Sequence, residues 1–598
     1  MRRSNRGQPT AWMRITALGL ATLALAGVDG GTRPAHAASL VVTTLVDNTA
    51  ADGQCSLREA MTNAINAAGT FADCAAGGNS DIITFSLSGT IVLTSQLPSV
   101  VGNAFFLNAL EIDGAGQSIV ISGNNAVRHF DVAAVSRLTL RNLTISGGRA
   151  PAAGSFSRGG AVTNAGTLIV RTSTFSGNTA VNGSSGGVAT AGAIAANAGS
   201  VTEIYDSTFV NNTTSATNGF ALGTSGGAIS ASGTPTPDIT LIVDKSTFNG
   251  NSSTGPNASG GAIALGTGTF TADIVNSTFS SNAANSVTGL IAPGGGGAIT
   301  MSAGVVDILH STFAANTATG AGALGGGLRN TGGVATLHSS ILANAGPAGS
   351  VECTGAIGTG GFLTLAQAAV PGCALAGATI GVPAGLGPLA SNGGPTQTHA
   401  LLAGSPALNV AAALICSSAQ VNNQDQRGFT RPSGPACDLG AFELGGAAPV
   451  LGGKNLKITT GSVDLTWTGG AAQAAYKLIK YNTTTAVLTL IDLPTNAVSY
   501  SDAATANGII YCYALVPVDP FGISMGLSDL LCGMPGMETG TVIPNAFALA
   551  LNQTATATMT WTAPAGGADS YLLQRIPLDG SPITNVALGA GPPRRPRR

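Results

Sequence analysis

At 598 residues the chain is long enough for several domains, yet only 9% of it is charged, 44% is apolar, 85 residues are glycine and the net charge is −2. So sparse a charge excludes a basic face for nucleic acid and gives no electrostatic hold on a strongly charged ligand. The apolar residues fall in short alternating runs, as stacked strands require.

Taken in chain order, Arg2, Arg3, Arg6 and Arg14 precede an apolar run from Ile15 to Val28 and then Ala35-His36-Ala37. This pattern predicts an export signal over residues 1–37, cleaved after Ala37. A membrane anchor, the alternative, needs about 20 apolar residues and finds fewer here, and no later segment is long enough to span a bilayer. Within residues 38–80, Ser56 and Glu59 have capping-box spacing, and Leu57, Ala60, Met61, Ala64, Ile65 and Ala68 recur at helical spacing. We expect a helix that lids the first coil of a stack of strands, pinned by a Cys55–Cys74 bridge. From Asp81 strands begin, at Ile82–Phe85, Ile91–Leu93, Leu110–Gly114, Ile119–Ile121 and Leu138–Leu140.

A repeat then fills the chain to about residue 345. Each copy opens on a glycine pair, as in Gly159-Gly160-Ala161-Val162, Gly226-Gly227-Ala228-Ile229, Gly260-Gly261-Ala262-Ile263 and Gly296-Gly297-Ala298-Ile299, with weaker versions at 191–194 and 326–328. Each closes on Ser-Thr-Phe-x-x-Asn, giving Phe175, Phe209, Phe248, Phe279 and Phe313 with Asn178, Asn212, Asn251, Asn282 and Asn316; a sixth copy reads Ser-Ser-Ile341-x-x-Asn344. The Phe spacings of 34, 39, 31 and 34 residues signal stacked repeats. Five and seven places before the Phe, apolar residues dominate (Val170, Ile204, Val243, Ile274 and Ile308; Leu168, Leu241 and Val306), with polar residues between them, although the sixth copy puts Thr336 in the nearer column. That is strand periodicity with one face buried. Stacking in parallel at about 4.8 Å would bury those faces. It would also pile the Phe rings inside and line up the Asn residues either as an amide ladder or simply as turn formers. The inserts from Thr213 to Ser225 and from Ala283 to Gly295 are expected as loops.

The Gly-Gly-Ala-Ile and Phe-x-x-Asn pair resembles the repeat of chlamydial-type polymorphic outer membrane proteins. The resemblance implies an all-β, right-handed parallel β-helix of the pectin-lyase type. Cys55-Ser56-Leu57-Arg58-Glu59-Ala60 resembles the signature of CSLREA-domain proteins, bacterial surface or secreted chains built on such helices. Gly393-Gly394-Pro395-Thr396, Ser405-Pro406-Ala407, Asp425-Gln426-Arg427-Gly428, Arg431-Pro432 and Cys437-Asp438-Leu439-Gly440-Ala441-Phe442-Glu443 resemble the end module of choice-of-anchor proteins. Residues 81–345 are thus read as β-helix and 346–445 as terminal coils with that module. Over 446–536, Val463–Trp467, Tyr476–Ile479 and Tyr511–Leu515 resemble strands B, C and F of a fibronectin type III domain. A partial second copy, at Met559–Trp561 and Tyr571–Leu573, occupies 537–598 and runs into a Pro/Arg-rich tail. We read that tail as a truncated or frame-shifted end, or else as a genuine basic terminus.

Eight cysteines form four neighbouring pairs separated by 19, 20, 21 and 20 residues: Cys55–Cys74, Cys353–Cys373, Cys416–Cys437 and Cys512–Cys532. Each pair lies in its own module, which favours local bridges in an oxidising compartment, outside the cell or on its surface. No Cys-x-x-Cys, nucleophile elbow, Walker loop or His-Glu-x-x-His occurs, so no cofactor or metal site is expected. His310 and His338 are read as one column at a solvated edge. The sharpest catalytic candidates are Asp273 and Asp307, six places before consecutive Phe residues and so about 5 Å apart if the register holds, with Glu203 two coils before Asp273. Ile242 interrupts that column, and no Arg or Lys aligns with it, so outward strand polarity explains it equally. The expected function is therefore that of an exported adhesin-like binding or structural protein with a glycan or protein ligand. A secreted polysaccharide lyase or hydrolase is the alternative.

Overall fold

The computed structural model describes residues 38–445, apart from 79, 102–108, 152–153, 217, 219–221, 234–237, 288–293, 321–323, 345–350, 361–362, 368–372, 374 and 376–377, and then strands and adjoining residues between 455 and 588. The expected signal with its cleavage after Ala37, Trp467 and the Pro/Arg tail lie outside the described residues.

The chain winds into a parallel β-solenoid. Sheet 1 stacks 11 strands from Ala38–Val42 to Ile357–Gly358, sheet 2 stacks 11 from Gly89–Val92 to Thr379–Ile380, and sheet 3 stacks eight from Phe130–Val132 to Cys353–Thr354. Each sheet turns apolar columns inward. Leu40, Ile83, Ile112, Leu140, Val170, Ile204, Val243, Ile274, Ile308 and Leu337 follow one another in sheet 1, each at most 2% exposed. In sheet 2 the five Phe rings stack at centroid distances of 4.8–4.9 Å, nearly parallel and fully buried. Sheet 3 contributes Phe130, Val162, Ile194, Ile229, Ile263, Ile299 and Leu328.

The Ser and the Asn of Ser-Thr-Phe-x-x-Asn each build a ladder. The Ser hydroxyls form a ladder: the backbone N–H of Ser173, Ser207, Ser246 and Ser277 each donates to the Ser Oγ of the next coil, at 3.1–3.2 Å. The Asn amides form a second ladder at the opposite corner. Asn178, Asn212, Asn251, Asn282 and Asn316 each donate through Nδ2 to the following Oδ1 at 2.7–2.9 Å, ending at Asn344. Asn344 donates to the buried Glu352 side chain, so the donating end of the aligned amides terminates on a carboxyl oxygen. The turn reading of these Asn residues does not hold. The left-handed conformation is carried by the residue before them: Gly177, Asn211, Gly250, Ser281 and Ala315, with φ between 53° and 64°. In the glycine pairs, Gly226 and Gly260 have φ 65° and 61°, whereas a Cβ on Gly227 or Gly261 would lie 2.0 Å from the carbonyl oxygen of the next coil. The first glycine serves the turn and the second the stacking.

Three expectations about the repeats and the residues after them change. The sixth copy is one residue short, so Leu342, not Ile341, stands opposite Phe313, and Leu337, not Thr336, opposite Ile308. The inserts begin or end as strands, Thr213–Ala216, Gly223–Ser225 and Ala283–Ser286 stacking in two further small sheets. Residues from Leu386 onward leave the stack. An antiparallel pair, Leu386–Ala390 with Thr398–Leu401, and a coiled stretch to residue 445 fold back along the flank of sheet 2 rather than adding coils.

At the N-terminal end the helix Leu57–Asn66 (α1) lies over the first coils, and Ala38–Val42 already pairs with Ser80–Phe85, so strand stacking begins within 38–80. The six residues 55–60 all contribute to this lid. Cys55 is bridged to Cys74, and Ser56 and Glu59 complete a reciprocal capping box. Leu57 and Ala60 are buried, and Arg58 pairs with Asp47 at 2.8 Å while donating to the carbonyls of Ser95 and Gln96.

Farther on, strands between residues 455 and 533 form a three-stranded and a four-stranded antiparallel sheet. Their core holds Val463, Leu465, Leu478, Tyr511, Tyr513 and Leu515. This is the three-plus-four arrangement of a fibronectin-like sandwich. The Tyr513 hydroxyl donates to Asp502 at 2.7 Å. Bridges join Cys353 to Cys373 and Cys416 to Cys437, and disulfide-bonded Cys512 lies directly opposite Cys532 in register.

Candidate functional site

The outward face of sheet 1 carries two polar columns. In the first, Glu111, Thr139, Ile169, Glu203, Ile242, Asp273, Asp307 and Thr336 are successive register partners. Asp273 and Asp307 are thus adjacent, about 4.8 Å apart by strand spacing, while Ile242 separates Glu203 from them. The Thr336 hydroxyl donates to Asp307 Oδ1. Half-burial, and then the charge of Asp307, raise the Asp273 carboxyl above its usual range. A hydrogen-bonded carboxyl group beside a second that holds its proton more readily is an arrangement capable of acid–base work.

The second column, two residues farther along each strand, runs Asp113, Arg141, Arg171, Tyr205, Asp244, Val275, Leu309 and His338. Arg141 lies 3.6 Å from Glu111, the Arg171 guanidinium sits 4.1 Å over the Tyr205 ring, and the Tyr205 hydroxyl donates to Glu203 at 3.2 Å. Burial lifts Asp244 to about 6 against the pull of Lys245, with Asp206 adding to the rise. Sequence reasoning missed this column. Its signal was present, four places before each Phe, but the residue types change from coil to coil and present no single chemistry.

His310 and His338 do not share a column. His338 pairs with Leu309, and His310 belongs with the left-handed turn residues Lys245, Asn276 and Ser339. His310 is not solvated. The folded-back segment buries it completely, with Cys416 Sγ 3.6 Å from its Nε2. Burial, and then the charge of Arg431, hold its pKa well below the ordinary histidine value, so it is neutral.

That segment, residues 386–445, acts as a clasp. Gln426 inserts its amide between two coils, accepting from the Thr278 hydroxyl at 2.6 Å and donating to Thr247 Oγ1 at 2.8 Å and Thr396 Oγ1 at 2.9 Å. Ala441 N–H donates to Thr312 Oγ1, and Gly440 N–H to the Ser339 carbonyl. The charged motif residues turn inward on one another. Arg427 pairs with Asp425 and stacks over Phe442, and Arg431, 1% exposed, reaches Glu443 and the carbonyls of Gln424, Asp438 and Gly440.

Where the clasp's short helix Ala413–Cys416 (α2) crosses sheet 1, an open cleft of about 410 Å³ forms. Asp307, Leu309 and His338 line it from the solenoid, and Leu414, Ile415, Ser417, Ser418 and Gln420 from the clasp. Asp273 lies one strand away. Among the described residues no group of three or more His, Cys, Asp or Glu is placed to hold a metal ion, and no helix is long and apolar enough to cross a membrane.

No family model and no curated protein matches the sequence. Among solved structures the chain is similar to a two fibronectin type III domain segment from chicken tenascin, at 18% identity over 24% of this chain and 78% of that one, with a TM-score of 0.14. The sandwich assignment rests on the strand order of residues 455–533 itself.

Proposed function

We propose that this chain is an exported, surface-associated binding and structural protein of the CSLREA and polymorphic-outer-membrane-protein type, without catalytic turnover. One observation carries the reading: the Ser and Asn of the repeat and the polar residues of the clasp are consumed in holding the fold. Ser, Asn, Gln426, Arg427, Arg431, Asp438 and Glu443 bond to one another or to neighbouring coils, so the chemistry-bearing signature builds a stiff rod and its clasp. A rigid solenoid offers a long face on which many weak contacts add. Disulfide bridges in three modules support an oxidising compartment, and the basic-apolar N-terminus supports export.

A second reading, a polysaccharide lyase or hydrolase, is favoured by one feature: the register-paired Asp273 and Asp307 with the cleft beside them. Incubating the purified chain with pectic, alginate-like and host-type glycans separates the two. Binding without new reducing ends or unsaturated products supports the first reading. Product formation that disappears in an Asp273→Asn, Asp307→Asn double variant replaces it with the second.

A further inference from the structure

The Thr of Ser-Thr-Phe-x-x-Asn points out of sheet 2, and in register these residues form one straight column. Thr144, Thr174, Thr208, Thr247, Thr278 and Thr312 occupy consecutive coils, with Thr90 two coils before Thr144 and Val120 in the column between them. The clasp covers only the far half. Thr247, Thr278 and Thr312 are at most 1% exposed, whereas Thr144, Thr174 and Thr208 remain accessible and Thr90 is exposed.

The covered half shows what such a column recognises. Each Thr hydroxyl there bonds to a peptide group or a side-chain amide: Thr247 to the Gln397 carbonyl and the Gln426 amide, Thr278 to the Gln426 amide, Thr312 to the Ala441 N–H. The clasp residues that touch the column, Gln397, Gln426 and Ala441, carry no formal charge. Its charged residues, Asp425, Arg427, Arg431 and Glu443, face one another instead. A hydroxyl both donates and accepts, so a row of them suits the alternating donors and acceptors of a peptide.

We propose that the open half of the threonine column, from Thr90 to Thr208, is a docking strip for an uncharged, extended peptide segment of a partner protein that presents backbone peptide groups and Gln side-chain amides. Continuity with the clasp interface supports this. The open stretch continues the same sheet, with the same Thr at the same register and the same Ser before it and Phe after it at 174 and 208. Four coil steps from Thr90 to Thr208, at about 4.8 Å each, match an extended segment of roughly six residues. The column itself holds no aromatic ring on which a sugar could stack.

The proposal rests on the binding role above and names its partner class, yet the two fail separately. Loss of this strip leaves glycan binding elsewhere on the solenoid intact, and an inert glycan panel leaves the strip standing. The probe is a fluorescein-labelled peptide of residues 393–402, which carries Gln397, whose carbonyl meets Thr247 in the clasp, and no Asp, Glu, Lys or Arg, titrated into the full chain by anisotropy. Saturable binding is expected. Thr174→Val and Thr208→Val should each weaken it about five-fold through a lost hydrogen bond, while Thr174→Ser and Thr208→Ser should preserve it. Circular dichroism of the valine variants should remain that of the parent, since valine suits a strand. Absence of binding at millimolar peptide, or binding indifferent to both valine substitutions, overturns the proposal. So does glycan binding or self-association lost in the same valine variants, which would assign the strip to a sugar or to a second copy.

Discussion

Asn251→Ala should be among the most damaging single truncations in the solenoid. Asn251 makes four side-chain bonds: Nδ2 donates to the Phe209 carbonyl and to Asn282 Oδ1, and Oδ1 accepts from the backbone N–H and the amide of Asn212, all at 2.9–3.0 Å. The site is fully buried. Four bonds at roughly 1 kcal/mol each, together with the burial of the Asn212 donors that truncation strands, give a loss of about 5 kcal/mol. Asn251→Asp separates the ladder from the bare turn. It keeps the acceptors but loses both donors and sets a carboxylate against Asn282 Oδ1, so it should be nearly as damaging at neutral pH and milder in acid, where the protonated carboxyl regains a donor. The three tryptophans, Trp12, Trp467 and Trp561, all lie outside the solenoid. Guanidinium unfolding is therefore best followed by far-UV circular dichroism, with hydrogen exchange of the Phe209–Phe279 coils as a local reading, because stacked repeats need not unfold in one step. A loss below about 1 kcal/mol in both variants, with unchanged exchange, would refute the cooperative ladder.

Other outcomes follow from the same geometry. Phe248→Ala, which removes a ring stacked on both faces, should cost about 3–5 kcal/mol, and Phe248→Leu clearly less. His129 is fully buried and donates to the carbonyls of Ile121 and Ser146, with burial pushing its pKa down to about 4. Its folded pKa lies below the unfolded value near 6.5, so its contribution of about 3 kcal/mol is complete above pH 6.5 and is lost as the pH falls toward 4. Half-buried Asp244, raised to about 6, acts in the opposite direction, gaining stability on acidification; the His129 effect is therefore read as the pH-dependent difference between the parent and His129→Gln. Arg431→Ala strands Glu443 in the clasp and should cost about 3–5 kcal/mol, exposing residues 386–445 to limited proteolysis while the coils stay resistant. Peptide mapping without reduction should find each of the four cysteine pairs in one fragment; a Cys74–Cys353 bridge would contradict the modules.

The solenoid was legible because its information is local and repeated. The Phe and Asn columns need only a constant offset within each copy, and stacking converts that offset into register. The same logic made Asp273 and Asp307 readable as neighbours. It failed at residue 342, where the copy loses one residue between strand and ladder: aligning by side-chain type placed Ile341 in the Phe column and paired His338 with His310. The clasp was not legible at all. Gln426 meets Thr278 across 148 residues and Cys416 meets His310 across 106, and no periodicity links such partners. Hence Arg431, Asp438 and Glu443 could be matched as a signature but not given a task, and the cleft beside Asp307 was invisible because its far wall belongs to α2.

A rod that holds something must carry tension, and the clasp decides where that tension goes. The chain passes from Glu443 and Leu444 toward the sandwich, so a pull from that side meets the clasp before it meets the last coil at Thr379–Ile380. Without the clasp, the terminal strand would peel one rung at a time. With it, the pull is shared in shear by the bonds to Thr247, Thr278 and Thr312, and by Gly440 on Ser339, which span four coils and must give way together. The Cys416–Cys437 bridge closes a covalent loop within the clasp and keeps it from unravelling first. Under such a pull the fold-back would act as a splice, passing load into the middle of the solenoid instead of to its last coil.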